Sequence, residues 1–287
     1  VKFQNCDYIL DEKDRFWVVH GNGKSLYCSL VFVPDKTGDR YNKILRKQYR
    51  KNIVKNQSIY QLKKVQIKRV FKPREFFLEN YEKLPKFWRK IPDALMSVGI
   101  NKKDIGIFGS FLIGFDVVKD VDFVVYGKRS LNILLNKIWK VRELCNAHKI
   151  TNEHLIYQLK KYSSFYSEKN DFEKILSYNW AGLQFSKGVL STIRFVCSPD
   201  ENLENIELES GEERVFQGFV LNGLGSNFVP RIGYIKSGGG IIRVLTYFWM
   251  FNSCFKEGDI VLVKGIYNKQ KNTLYLTSKK HWMKILN

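Results

Sequence analysis

The sequence predicts an α+β protein: a mixed sheet with helices at its centre, a β-rich basic segment before it and a small β-barrel after it. Three observations predict this. Short runs of alternating apolar and polar residues dominate both ends of the chain, as half-buried strands require. Between them, Leu131, Leu134, Leu135, Ile138, Val141 and Leu144 recur at helical spacing, which gives one apolar stripe along a helix. The 287 residues are 44% apolar, enough for ordinary packed cores, and the length suggests two domains or three small ones.

The first segment spans residues 1–74. Arg15 to Val19 and Leu26 to Val33 read as two strands of a hairpin turned at Gly21-Asn22-Gly23, and Pro34 closes the second. From Lys36 to Arg74 the charge is one-signed, opposed only by Asp39, with Tyr41, Tyr49, Tyr60 and Phe71 interleaved. Lys and Arg neutralise phosphates and aromatic rings stack on bases, so Arg40, Lys43, Arg46, Lys47, Arg50 and Lys51 are the candidate nucleic-acid contacts. The alternative is a solvated basic surface with tyrosines packed beneath it.

The central segment spans residues 75–200. Pro73 opens a helix that Pro85 breaks, and Lys86 to Ser97 form a second around Pro92. Arg129 to His148 carry the apolar stripe. Thr151 to His154 resemble an N-cap before a helix over Leu155 to Tyr166, another helix fits Asp171 to Tyr178, and residues 183–197 read as two short strands around Gly188. The acidic stretch from Ser198 to Glu213 is a linker or surface loop. Residues 214–287 then read as all β, with five strands at Val215–Leu221, Asn227–Ile235, Ile241–Phe248, Asp259–Tyr267 and Thr273–Thr277. Five strands in so short a stretch suit an OB-like barrel, a common oligonucleotide platform, and Tyr247, Trp249, Tyr267 and Trp282 read as exposed rings or as core.

The chemistry concentrates at Ile105 to Gly127. A short apolar strand reaches Gly109-Ser110, and a second strand begins with Asp120, Val121 and Asp122. Strand side chains alternate, so Asp120 and Asp122 share a face. Two such carboxylates repel unless a cation lies between them, and oxygen ligands of this kind suit Mg²⁺ held partly by substrate phosphates. The Gly109-Ser110 turn offers backbone N–H groups to a phosphate at a helix N-terminus. Together they imply phosphoryl or nucleotidyl transfer.

The apolar-Gly109-Ser110 element, a spacer of nine residues and Asp120-x-Asp122 resemble the DNA polymerase β-like nucleotidyltransferase superfamily. The whole chain resembles a mostly archaeal group of predicted nucleotidyltransferases, through Pro34-Asp35, Gly38-Asp39-Arg40-Tyr41, Gly109-Ser110, Leu112, Gly114 and Asp120 to Gly127. The resemblance implies a polymerase β-like core that moves an NMP from an NTP to a hydroxyl, with RNA favoured and a protein acceptor the alternative. It implies Asp120 and Asp122 as catalytic metal ligands for Mg²⁺ or Mn²⁺, and Gly109 and Ser110 as the triphosphate cradle. It also implies a third carboxylate on a later strand. The candidate strand, Leu190 to Val196, holds no acid, and Asp200 and Glu201 follow only after Pro199. A residue from elsewhere completes the site, two carboxylates suffice, or the scaffold is catalytically lapsed and binds nucleic acid.

Charge and cysteine usage narrow the class. A net charge of +20 points to a polyanion partner, most commonly nucleic acid. The five cysteines are scattered singly, without a Cys-x-x-Cys pair, and read as reduced thiols. The four histidines form no metal-ligand spacing. No apolar run is long enough to span a bilayer and no signal-type segment opens the chain, so a cytoplasmic protein without a membrane partner is expected.

Overall fold

The computed structural model describes residues 3–20, 26–34, 41–42, 60–63, 66–114, 121–151, 174, 178, 180–186, 189–198, 201, 211–247, 251–278 and 280–286. Its strands fall into three sheets. The first holds β1 (Tyr8–Asp11), β2 (Phe16–Val19), β3 (Leu26–Pro34), β4 (Tyr41–Asn42), β5 (Tyr60–Leu62) and β6 (Ile67–Phe71). Its order is β4-β3-β2-β1-β6, with β5 also paired to β3. The expected pairing of β2 and β3 is present and antiparallel.

Helices α1 (Pro73–Asn80) and α2 (Lys86–Ser97) come next, and Pro92 sits inside α2 as the sequence suggests. The second sheet holds β7 (Ile105–Phe108), β8 (Asp122–Tyr126), β9 (Gly182–Gln184) and β10 (Leu190–Val196) in the order β7-β8-β10-β9. β7 and β8 are antiparallel neighbours. β8 and β10 are parallel, and the chain between them includes α3 (Lys128–Cys145), which ends where Asn146 turns left-handed at φ 53°. Gly106 lets α1 approach the sheet, since a Cβ there would lie 2.9 Å from the Pro73 backbone.

The third sheet holds β11 (Glu212–Asn222), β12 (Arg231–Ser237), β13 (Gly240–Thr246), β14 (Ile260–Asn268), β15 (Thr273–Leu276) and β16 (Trp282–Ile285). Five of these close into a barrel through β11-β12-β13-β15-β14 and back to β11, and β16 adds to β14. The β13–β15 pair is parallel, and the other barrel pairs are antiparallel. The molecule is thus mixed α+β with a five-stranded closed barrel near its C-terminus.

The packing crosses the segment boundaries. One apolar cluster unites Tyr8, Phe16 and Phe32 of the first sheet with Phe77, Ile91, Phe108, Phe123, Leu134 and Phe195, and with Phe228 before β12. A second fills the barrel around Val220, Val244, Val263, Leu274 and Met283. All five cysteines are buried and free. No helix among the described residues is long and apolar enough to cross a membrane.

Several expectations shift in detail. The second barrel strand starts at Arg231 rather than Asn227, because Leu224–Asn227 form a 3-10 turn. Glu212 and Glu213 belong to β11, not to a linker: their backbones pair with Tyr267 and Ile266. Tyr247 is buried against Leu245 and Tyr275, while Tyr267 and Trp282 are half-buried. Trp249, the helices expected after Thr151 and most of the basic stretch lie outside the described residues.

Candidate functional site

Asp122 opens β8 and pairs with Phe108, the last residue of β7. Its carboxylate therefore sits at the connected end of the hairpin, beside the turn that leaves β7. Gly109 starts that turn at φ +83°, a conformation L side chains rarely adopt. A Cβ there would lie 3.6 Å from Asp122 Oδ2, ordinary contact distance, so the backbone conformation rather than space selects glycine. Ser110 is half-buried on the same turn. The expected helix N-terminus is not found there: residues 109–114 are turn, and Gly114 is again left-handed at φ +79°.

The parallel neighbour strand supplies the partner of Asp122. Ile193 aligns with Phe123, which brings Thr192 alongside Asp122. The Thr192 backbone N–H and hydroxyl both donate to Asp122 Oδ1, at 3.0 and 2.7 Å. Two residues further, Arg194 aligns with Val124 and lies on the same face. Its guanidinium carbon is 4.2 Å from the centroid of the Phe108 ring. The face bearing Asp122 therefore presents Phe108, Thr192 and Arg194, as strand alternation requires.

The nearest candidate for a third acid is committed elsewhere. Glu201 Oε1 accepts from the Lys128 N–H at 2.8 Å and Oε2 from the Ser198 N–H at 3.0 Å. This carboxylate caps α3, where a negative charge is favoured by the helix dipole. It lies at the far end of β8 from Asp122, roughly 16 Å along the strand. Gly127 makes the cap possible, because a Cβ there would lie 2.9 Å from Ser198 Oγ. Among the described residues, no group of three His, Cys, Asp or Glu side chains converges to hold a metal.

As a donor set, the described corner offers Asp122 Oδ2, while Oδ1 is engaged by Thr192. That fits one Mg²⁺ completed by phosphate oxygens and water. Two metals need more carboxylate oxygens than the described residues place there. Asp120 lies outside the described residues, as do Arg40, Lys43, Arg46, Lys47, Arg50 and Lys51.

The barrel adds a surface the sequence did not single out. Phe219 pairs with Lys236 on one side and Ile260 on the other, and Lys236 pairs with Ile241. Tyr234 and Arg243 form the next pair on the same face. Phe219, Tyr234, Ile241 and Ile260 are exposed on this outer wall. Alternation within each strand is the signal for these positions, but the neighbours across strands follow only from register.

No family model and no curated protein matches the sequence. The crystal structure of the tetrameric p202 HIN2 superposes on 42% of this chain and 71% of that one, at 13% identity and a TM-score of 0.21. A likeness that loose carries no argument about fold or function.

Proposed function

We propose that this chain is a nucleic-acid-binding protein built on a nucleotidyltransferase-like sheet in which Thr192 stands where two-metal transfer would need a further acid. The observation that carries the reading is Thr192. It stands on the strand beside Asp122, where a further acid would need to be, and spends its hydroxyl on Asp122 Oδ1. The net charge of +20 supports a polyanion partner. The barrel supports an oligonucleotide platform. Its first strand closes on its fourth and its third runs parallel to its fifth, the arrangement of an OB-like barrel. Its outer wall offers the rings of Phe219 and Tyr234 beside Lys236 and Arg243, which suits stacking and phosphate contact together.

The test is a transfer assay with each labelled NTP, a pool of small RNAs, and Mg²⁺ or Mn²⁺. The expected result is RNA binding without label incorporation. Label transferred by the unaltered protein and lost in Asp122→Asn overturns it.

One observation favours active transfer as a second reading: Asp122 Oδ2 faces the Gly109 turn. In that reading Asp120 and Asp122 hold Mg²⁺, and the backbone of Gly109 and Ser110 holds the β- and γ-phosphates of an NTP. A bound metal would lower the acceptor hydroxyl's pKa and neutralise the departing pyrophosphate. Arg194, on the same face, orients a phosphate. The acceptor is an RNA hydroxyl or a protein side chain, and the same assay with a protein pool separates them.

A further inference from the structure

Three parts of the chain meet behind Arg194. Val229 donates its backbone N–H to the Phe195 carbonyl at 3.2 Å, and Phe195 bridges Phe228. This ties the segment leading into β12 to the strand that carries Arg194. Asn5 donates its side-chain amide to the Val229 carbonyl, and the Tyr8 ring packs 5.1 Å from Phe108. Cys6, held left-handed at φ 72°, lies between these contacts. Arg231, the first residue of β12, is 2% exposed at this junction.

Among the described residues, no anion bonds Arg231. Arg231 bonds Asn252 Oδ1 through Nη2 at only 3.4 Å, and its buried Nε has no partner. Burial pushes Arg231 down to about 9, and the nearby Arg194 pushes the same way. The groups that oppose this are the thiols of Cys254 and Cys6, both of which burial holds in the neutral form. Neither Arg194 nor Arg231 takes part in an ion pair among the described residues. Asp7, the nearby buried acid, bonds the Gln4 N–H at 2.9 Å and feels Lys72 rather than either arginine. A buried guanidinium without a counter-charge is costly, and two close together are costlier still.

We propose that Arg194 and Arg231 form a phosphate-binding site at the junction of the second sheet and the barrel. Arg194 is half-buried on the sheet face, and the buried Nε of Arg231 has no partner among the described residues. Guanidinium edges match phosphate oxygens in geometry and charge, and one tetrahedral anion between the two arginines neutralises both. The phosphate belongs to a free ion, a nucleotide or a nucleic-acid end. The site needs no metal and does not rest on the reading of Asp122.

The experiment measures thermal unfolding in sodium phosphate against sodium chloride at equal ionic strength, with EDTA present. The unaltered protein should melt higher in phosphate, since a ligand that binds only the folded chain stabilises it. Arg194→Met and Arg231→Met should each raise the half-saturating phosphate concentration about tenfold or more, the loss of a charged hydrogen bond. Arg231→Met should also melt no lower than the unaltered protein in chloride, because it removes an uncompensated buried charge. Arg194→Lys, at a half-buried position, keeps the charge and loses the fork, so it should fold and bind phosphate less tightly. ATP and a short RNA with or without a 5′-phosphate then identify the source: whichever loses affinity in both Met variants carries the phosphate. Equal melting of the unaltered protein in the two salts overturns the proposal, as does an undiminished phosphate response in Arg194→Met and Arg194→Lys.

Discussion

Thr192 decides how the Asp122 corner works. Its hydroxyl and backbone N–H hold one carboxylate oxygen, so Asp122 is oriented by a neutral neighbour rather than repelled by an acidic one. Thr192→Val keeps the shape and removes the hydroxyl. It should cost about 1.5–3 kcal/mol, the value of a hydrogen bond to a charged group, and be read as a lower denaturation midpoint at unchanged slope. Asp7 makes a second residue-scale prediction. Burial pushes its carboxyl up to about 7 from 3.8, against the pull of the Gln4 N–H and of Lys72. The folded chain thus keeps a proton that the unfolded chain has lost over that range. Stability from this group is full below about pH 4, falls as pH rises to about 7, and is level beyond. Asp7→Asn should abolish that slope and stabilise the protein at alkaline pH by on the order of 1–3 kcal/mol. Neither role was legible beforehand. The Asp-x-Asp spacing located Asp122, but a threonine in a strand gives no sign of the carboxylate across the ladder, and Asp7 gives none of its burial.

At the scale of elements, local signals did most where they were strongest. The apolar stripe marked α3, Pro85 marked the start of α2, and four of the barrel strands fell close to their expected places. The strands that escaped had weak patterns. β6 carries exposed Lys68 and Arg69 in the middle of a basic run, and β1 and β16 are four residues each. The acidic stretch after β10 read as a linker, yet Glu201 folds back to cap α3, a long-range contact that no local pattern announces. Glu201→Ala should destabilise by about 1 kcal/mol, within the range for lost helix caps. That should appear as a fall in Tm of about 2–4 °C, while nucleic-acid binding stays unchanged, because the cap lies at the opposite end of β8 from Asp122.

At the scale of the whole molecule, the three sheets divide the work. The first sheet and the helices share a core with the second sheet, which fixes the Asp122 corner. The barrel closes its own core and exposes Phe219, Tyr234, Ile241 and Ile260 on its outer wall. Charge was readable from composition alone, whereas the meeting of Arg194 and Arg231 depends on how the barrel docks and has no local signature. On the barrel wall, Phe219→Ala and Tyr234→Ala should each weaken single-stranded RNA binding by about 1–3 kcal/mol, the range for a lost base stack. In the proposed function, nucleic acid is bound by charge and stacking, without chemistry at Asp122. This is tested most directly by the affinity of the unaltered protein and Asp122→Asn for a labelled single-stranded RNA, measured by fluorescence anisotropy across a salt series, with Mg²⁺ and with EDTA. Steep, parallel log–log salt dependences are expected for both proteins in both buffers. Loss of binding in Asp122→Asn or in EDTA contradicts it.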